Sequence, residues 1–322
     1  MQNLIQQISK RQDFIDKPPV LIDVGASGGL NPVWQKIASF SILVAFDPDE
    51  REFGYIEQKG TGYKGIYVFK SIATSETGIT KKKFYLTKSP YCSSTLRPLS
   101  DKLKGHHFSD SYEVEKEIEL TAVNIQDALD KLNLEHVDWF KTDTQGTDLR
   151  LFKCLKDSIS KNVLVAEFEP GIMDSYEGED KLADVLKYME SLGFYLTNLN
   201  IKGPLKIDST HFNRIFNSSL KKRLAGDMVK KVPGWGEMTY ANSLSAAGSS
   251  FTSRDYILSW LFHSLQGHHG IAFSLMQDAK TKQADALYPA LEAFSLSKIK
   301  SDLYSFSGFA RMLNRILNKY FN

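Results

Sequence analysis

The stretch Leu21-Ile-Asp-Val-Gly-Ala-Ser-Gly-Gly-Leu-Asn-Pro32 decides how this chain is read. It begins as a short apolar run carrying one acid, Asp23, and breaks into glycines before Asn31-Pro32. A run of this kind bounded by glycine reads as a buried strand. Glycines at its carboxyl end let backbone approach a ligand lying across a sheet edge, and the proline falls in the first turn of a following helix.

Working outward, β-branched runs alternate with amphipathic ones. PVWQKIASF reads as a helix, SILVAFDP as a strand, DEREFGYIEQKG as a charged stretch and GIYVFKSIAT as a strand. The order resumes with helix VNIQDALDKLNL, strand HVDWFKTD, helix GTDLRLFKCLKDSI, strand NVLVAEFE, helix EDKLADVLKYMESLG and strand FYLTNLN. Between the halves, KKKFYLT and the strictly alternating YEVEKEIELTAV read as strands around a Ser/Pro-rich loop. The fold expected is α/β, a Rossmann-like, doubly wound, mostly parallel sheet. After about residue 218 the spacing turns helical, so residues 1–217 are taken as one domain and 218–322 as a helical extension.

Three cofactor classes compete for the glycine break. A P-loop requires a Gly-Lys-Ser/Thr that is missing here. A dinucleotide site wants Gly-x-Gly-x-x-Gly, and Ser27 occupies the position of the middle glycine in Gly25-Ala-Ser-Gly-Gly29. S-adenosylmethionine is a cation without phosphates, and the carboxylate of Asp23 two residues before Gly25 suits it. The second strand then ends in Asp47, where an acid can accept both ribose hydroxyls. Asp143, Glu167 and Glu169 end later strands, so several acids converge on the rim where open α/β sheets bind ligands. Asp143 or Thr144 could instead cap the next helix.

Composition bounds the reading. The 322 residues suffice for one large or two smaller domains, and no window reaches the roughly 20 apolar residues of a spanning helix. With no apolar leader and only Cys92 and Cys154, a cytoplasmic protein is expected. The formal charge of +2 hides an asymmetry: 24 basic against 30 acidic residues before position 201, and 16 against 8 from there on. That basic half suits a solvated helical surface or an anionic carrier or membrane. No nucleic-acid signature appears. The histidines at 263, 268 and 269 share no carboxylate at ligand spacing, so no metal is expected.

By these residues the chain resembles the FkbM-type S-adenosylmethionine-dependent methyltransferases. Their first motif is similar to LIDVGASGG at 21–29, with Ser27 where the family usually has asparagine. Their Phe-Glu-Pro resembles Phe46-Asp47-Pro48, their Lys-Ile-Asp-Val-Glu-Gly resembles Lys141-Thr-Asp-Thr-Gln-Gly146, and their Ser-Ser-Leu loop resembles Ser93-Ser-Thr-Leu96. The likeness covers about residues 20 to 200. It implies a class I methyltransferase sheet, S-adenosylmethionine as cofactor, and O-methylation of a sugar, glycan or natural-product hydroxyl. Asp47 shortens the acid, Gln145 replaces one, and Ser75 and Glu76 stand where relatives often carry an aspartate near the adenine.

On that basis Asp23, Gly25, Ser27, Gly29, Asp47 and Asp143 are the cofactor candidates. Asp143 is also the candidate for proton removal, with Lys141 and Ser94 positioning the acceptor. His106 and His107 offer an alternative base or a solvated pair. Trp235, Trp260 and Phe262 offer sugar-stacking platforms or core. The extension is free to cap the site, form a homodimer, or dock on a carrier or membrane. The rival reading is a degenerate methyltransferase fold acting as an interaction module in surface-polysaccharide assembly.

Overall fold

The computed structural model describes residues 1–25, 31–48, 62–245 and 251–305, with Phe309 and Leu313. The charged stretch at 49–60 and most of the glycine-rich turn lie outside the described residues. The chain divides into two compact units.

The larger unit, Val20–Asn31 with Ser41–Ser249, is built on a seven-stranded sheet. Its strands are β1 (Val20–Val24), β2 (Ile42–Phe46), β3 (Gly65–Phe69), β7 (Trp139–Thr142), β8 (Val165–Phe168), β9 (Phe194–Lys202) and β10 (Trp235–Asn242). Their order is β3-β2-β1-β7-β8-β10-β9. Neighbours from β3 to β8 are parallel, whereas β10 runs antiparallel to both β8 and β9. This is the mixed α/β, mostly parallel, Rossmann-like sheet that the alternating runs predict. A three-stranded sheet, β4 (Ile72–Thr74), β6 (Val114–Asn124) and β5 (Lys81–Thr87), accounts for the two strands expected around the Ser/Pro-rich loop.

One face of the large sheet is dry. Ile22, Val44, Phe140, Ala166 and Tyr240 pack against helices Ile125–Lys131, Asp148–Lys153 and Leu182–Ser191, which contribute Leu129, Phe152 and Val185. Phe152 is the hub, meeting the rings of Phe140, Phe168, Tyr188 and Phe194 edge-on at 5.2 to 6.4 Å. Asn124 caps the first of these helices by accepting from the Gln126 and Asp127 amides, and Gly193, at φ +81°, follows the last.

The smaller unit gathers Met1–Pro19, Pro32–Phe40 and Ser250–Asn322. Helices Ser253–Leu265, His269–Lys282 and Tyr288–Leu303 dominate it. Arg11 draws the two ends of the chain together, its guanidinium 2.7 Å from Asp13 and 2.9 Å from Asp285. Trp260 and Phe262 have no exposed surface, and Trp260 Nε1 donates to Ser295 Oγ at 2.8 Å. Both aromatics are core, so neither is a stacking platform.

Two expectations are corrected. A boundary after 217 would cut β10 away from the sheet it completes, so the sheet unit continues to 249. PVWQKIASF folds as two short 3-10 turns, Trp34–Lys36 and Ala38–Phe40, because Trp34, Ala38 and Phe40 are all drawn inward over too short a span for a regular amphipathic helix.

Truncating Phe152 to alanine leaves a ring-sized hole among four aromatic neighbours and should destabilise the protein by about 3 to 5 kcal/mol. Equilibrium urea unfolding measures this as a lower midpoint with an unchanged slope.

Candidate active site

The carboxyl ends of β1, β2, β7 and β8 share one rim. The Gly25 amide donates to Phe46 O and the Asp143 amide to Val24 O, both at 2.9 Å, so the strand ends are stitched together. Gly25 sits at φ +79°, and a Cβ added there would lie 2.1 Å from the Asp143 carbonyl oxygen. Glycine is required both by the left-handed backbone and by the close approach of β7.

Two cavities open at this rim, each about 900 Å³ when counted out to its mouth. Gly25, Phe46, Asp47, Ile72 and Phe84 line the first. Phe108, Tyr112, Tyr176, Glu169, Glu179 and Trp235 line the second. Tyr91, Asp143 and Gln145 border both.

The dividing wall is held from several sides. Gln145 adopts φ +56°, a costly conformation for a residue with a Cβ. Its Nε2 donates to Asp143 Oδ1 at 2.9 Å, its Oε1 accepts from the Tyr176 hydroxyl at 3.2 Å, and its carbonyl accepts from Ser94 Oγ at 2.8 Å. Gly146 follows at φ +108°, where a Cβ would meet the Glu179 Cβ at 2.9 Å. Strain at Gln145 is thus over-determined by its neighbours, a common arrangement at functional sites.

Charge is concentrated beneath the wall. Asp23 and Lys141 are register partners on β1 and β7, and Lys141 Nζ lies 2.6 Å from Asp23 Oδ1. Burial opposes the charge on Lys141, but the Asp23 carboxylate outweighs it and holds the ammonium above its ordinary value. Glu167, next along the row, is pushed up to about 7 by burial, against the pull of Lys141 and the Trp139 indole N–H at 2.8 Å. Around Asp143 the carboxyls have no direct ion pair among the described residues, although Lys141 also feels the Asp143 charge. Burial, then Asp143, push Asp148 up to about 7. Burial also pushes Glu169 well above the carboxylate range, reinforced by the Asp143 charge and a hydrogen bond between the two carboxyl groups. Among the described residues, these acids form no group of three or more that could hold a metal.

Of the residues singled out in the sequence, Gly25, Asp47 and Asp143 line the first cavity. Ser27 and Gly29 lie outside the described residues. Asp23 is buried with its charge committed to Lys141. Lys141 and Ser94 are not among the residues lining these two cavities. The strand pleat turns Lys141 toward Asp23. Ser94 is buried and bonded to the Gln145 carbonyl, while its neighbours Ser93 and Thr95 face the first cavity.

The other candidates resolve as follows. His106 Nδ1 is bonded to Leu103 O, and His107 Nδ1 accepts from the Leu205 amide, so both are structural. Ile72 and Ala73, not Ser75 or Glu76, reach the first cavity, and Glu76 pairs with Lys82 at 2.6 Å. Asp143 caps no helix. Thr144 Oγ1 accepts from the Thr147 amide, and Asp148 Oδ1 accepts from the Thr144 amide.

Sequence reasoning passed over Tyr176 and Glu179. Glu169, placed on the ligand rim by the sequence, and Trp235, offered as a stacking platform, both line the second cavity. The acid two residues beyond Glu167 was the available signal for Glu169. Nothing local marked Tyr176 or Glu179.

A Rossmann-like sheet with paired cavities at its carboxyl rim defines a ligand-binding α/β protein. Residues 38–196 match the family model for the methyltransferase FkbM domain. The match begins after the glycine-rich turn, covers β2 through β8 and ends within β9. No curated protein matches the chain.

A carboxyl held protonated by the fold loses its stabilising proton as pH climbs from its unfolded value, about 4.3 for glutamate, toward its raised folded value. Wild-type stability should therefore fall between pH 5 and pH 8. Glu169→Gln should fall less steeply, so its melting temperature gains on wild type as pH rises. Parallel pH profiles by calorimetry would contradict the shared-proton arrangement.

Proposed function

We propose that the chain is an S-adenosylmethionine-dependent methyltransferase of class I type. Its acceptor is a hydroxyl on a sugar, glycan or other small molecule. The observation that carries this is the pair of cavities meeting at Asp143, one suited to the cofactor and the other to the acceptor. Support also comes from the strand order, in which β10 slots antiparallel between β8 and β9 at the end of an otherwise parallel sheet.

The residues fit the cofactor. The first cavity offers apolar surface from Phe46, Ile72 and Phe84 for a purine, and a buried carboxylate at Asp47 for ribose hydroxyls. No Lys or Arg is among its described lining, which disfavours a pyrophosphate, while the surplus of carboxyls around Asp143 suits a cation. In this reading Gly25, with Ser27 and Gly29, receives the methionine end. S-adenosylmethionine, when bound, supplies a methyl group made electrophilic by its sulfonium.

The chain's own residues then align and deprotonate. Trp235, Phe108 and Tyr112 form the aromatic walls against which an acceptor ring lies. Asp143, at the junction, accepts the hydroxyl proton, and the protonated Glu169 keeps that carboxylate oriented through their hydrogen bond. Gln145 fixes its other side. Lys141 and Ser94 act through the groups they hold, Asp23 and the Gln145 carbonyl. No described helix is long and apolar enough to cross a membrane. The reading goes with a cytoplasmic enzyme of polysaccharide biosynthesis, able to dimerise or to touch a carrier or membrane through its basic C-terminal half.

Calorimetric titration with S-adenosylmethionine should show binding that weakens in Asp47→Ala, whereas NAD should not bind. If neither cofactor binds, the interaction-module reading takes its place. Asp143→Asn should lower methyl transfer by roughly 10²- to 10⁴-fold, the span of general-base catalysis. Full turnover in that variant removes Asp143 from the role.

A further inference from the structure

We propose that helix Ser219–Met228 and the Val229–Lys231 segment behind it dock the protein on an anionic lipid bilayer. Leu220, Leu224 and Met228 recur every four residues and so form one row along the helix. They remain 66%, 45% and 79% exposed, and Val229 and Ile215 extend the apolar surface at 45% and 52%. The helix is seated instead through Ala225, which is buried with Leu205 and Phe212. A surface helix ordinarily turns its apolar row into the core. This one turns it out.

The flanks of the row are basic. Lys221 and Arg223 border it, and residues 209–231 carry Arg214, Lys221, Lys222, Arg223, Lys230 and Lys231 against the single acid Asp227. All six are exposed, and none forms an ion pair with a described residue. An outward apolar row between basic flanks is the chemistry of a helix lying in a bilayer interface, with cations among anionic headgroups.

The position suits the proposed acceptor cavity. Phe212 packs its ring 4.8 Å from that of His107, Ser209 Oγ donates to Asp110 Oδ1 at 2.8 Å, and Phe108 between them lines the second cavity. A bilayer gripped by this helix lies against the elements that shape the cavity, which favours a membrane-bound acceptor. That last step rests on the proposed function; the docking does not.

The experiment is flotation of the full-length protein with phosphatidylcholine vesicles, with and without phosphatidylglycerol. Binding is expected only to the anionic vesicles and should decline as salt rises. Lys221→Gln with Lys222→Gln and Arg223→Gln should weaken it by roughly a hundredfold, at about 1 kcal/mol per charge. Leu220→Ser with Leu224→Ser and Met228→Ser should abolish it. Calorimetric affinity for S-adenosylmethionine should be unchanged in both variants, which checks folding and keeps failure of docking separate from failure of the methyl-transfer reading. Absence of wild-type binding, equal binding to neutral vesicles, or salt-independent binding overturns the proposal. So does self-association in solution that the serine variant alone removes, which would assign the face to a second copy.

Discussion

The approach of β7 to Gly25 is the constraint on which the site depends. With no side chain at position 25, the Asp143 carbonyl comes within a distance that any Cβ would occupy. The Asp143 amide bonds the Val24 carbonyl, and two residues earlier on β7 Lys141 is tied to Asp23 on β1. Two strands far apart in sequence therefore end at the same height. Asp143 is delivered by backbone geometry to the edge shared by both cavities, and Gln145 and Gly146 turn the chain away in left-handed conformations that leave this edge open.

That geometry crowds carboxyl groups. Along the Asp23, Lys141, Glu167 row the ammonium is in direct contact with Asp23 alone, though Asp143 and Glu167 also act on it, and burial pushes Glu167 up to about 7. Around Asp143, Lys141 acts only through space and none of the carboxyls has an ion-pair partner among the described residues, so burial and mutual repulsion push Glu169 and Asp148 up. An arrangement of this kind is poor for stability at neutral pH. It is a reasonable arrangement for a site that awaits a cationic ligand and must take up a proton, and this makes the proposed cofactor physically consistent with its surroundings.

Much of the sheet was legible because strand runs and their glycine or acidic ends are local signals. Asp47, Asp143 and Gly25 reach a cavity because each follows directly on a strand end. The errors arise where tertiary register decides. In Ser93-Ser94-Thr95 the alternation sends the outer two residues to the cavity and the middle one into the wall, and neither composition nor spacing distinguishes them. Lys141 is one strand position from facing the other way. The boundary at 217 failed because β10 returns to the sheet after two intervening helices, so a helical texture begins before the sheet is complete. Tyr176 and Glu179 come from a loop whose meaning depends on packing, Glu179 against Gly146 and Gly171 and Tyr176 against Cys92 and Gln145.

The charge asymmetry is the clearest case of a true signal assigned too broadly. From residue 201 on, 16 basic residues face 8 acids, which the sequence spreads over a long helical extension. Outside residues 209–231 the tally is 10 against 7, and several of these are spent on partners, as in Arg254 with Asp255, Lys280 with Glu292 and Lys202 with Glu237. Within 209–231 it is 6 against 1, on exposed positions beside an outward apolar row. Mutually paired charges contribute little field beyond a Debye length, whereas unpaired ones on one short element add. Among the described residues, the positive face of residues 209–231 is therefore a local feature of the sheet unit, adjoining the second cavity through His107 and Phe108.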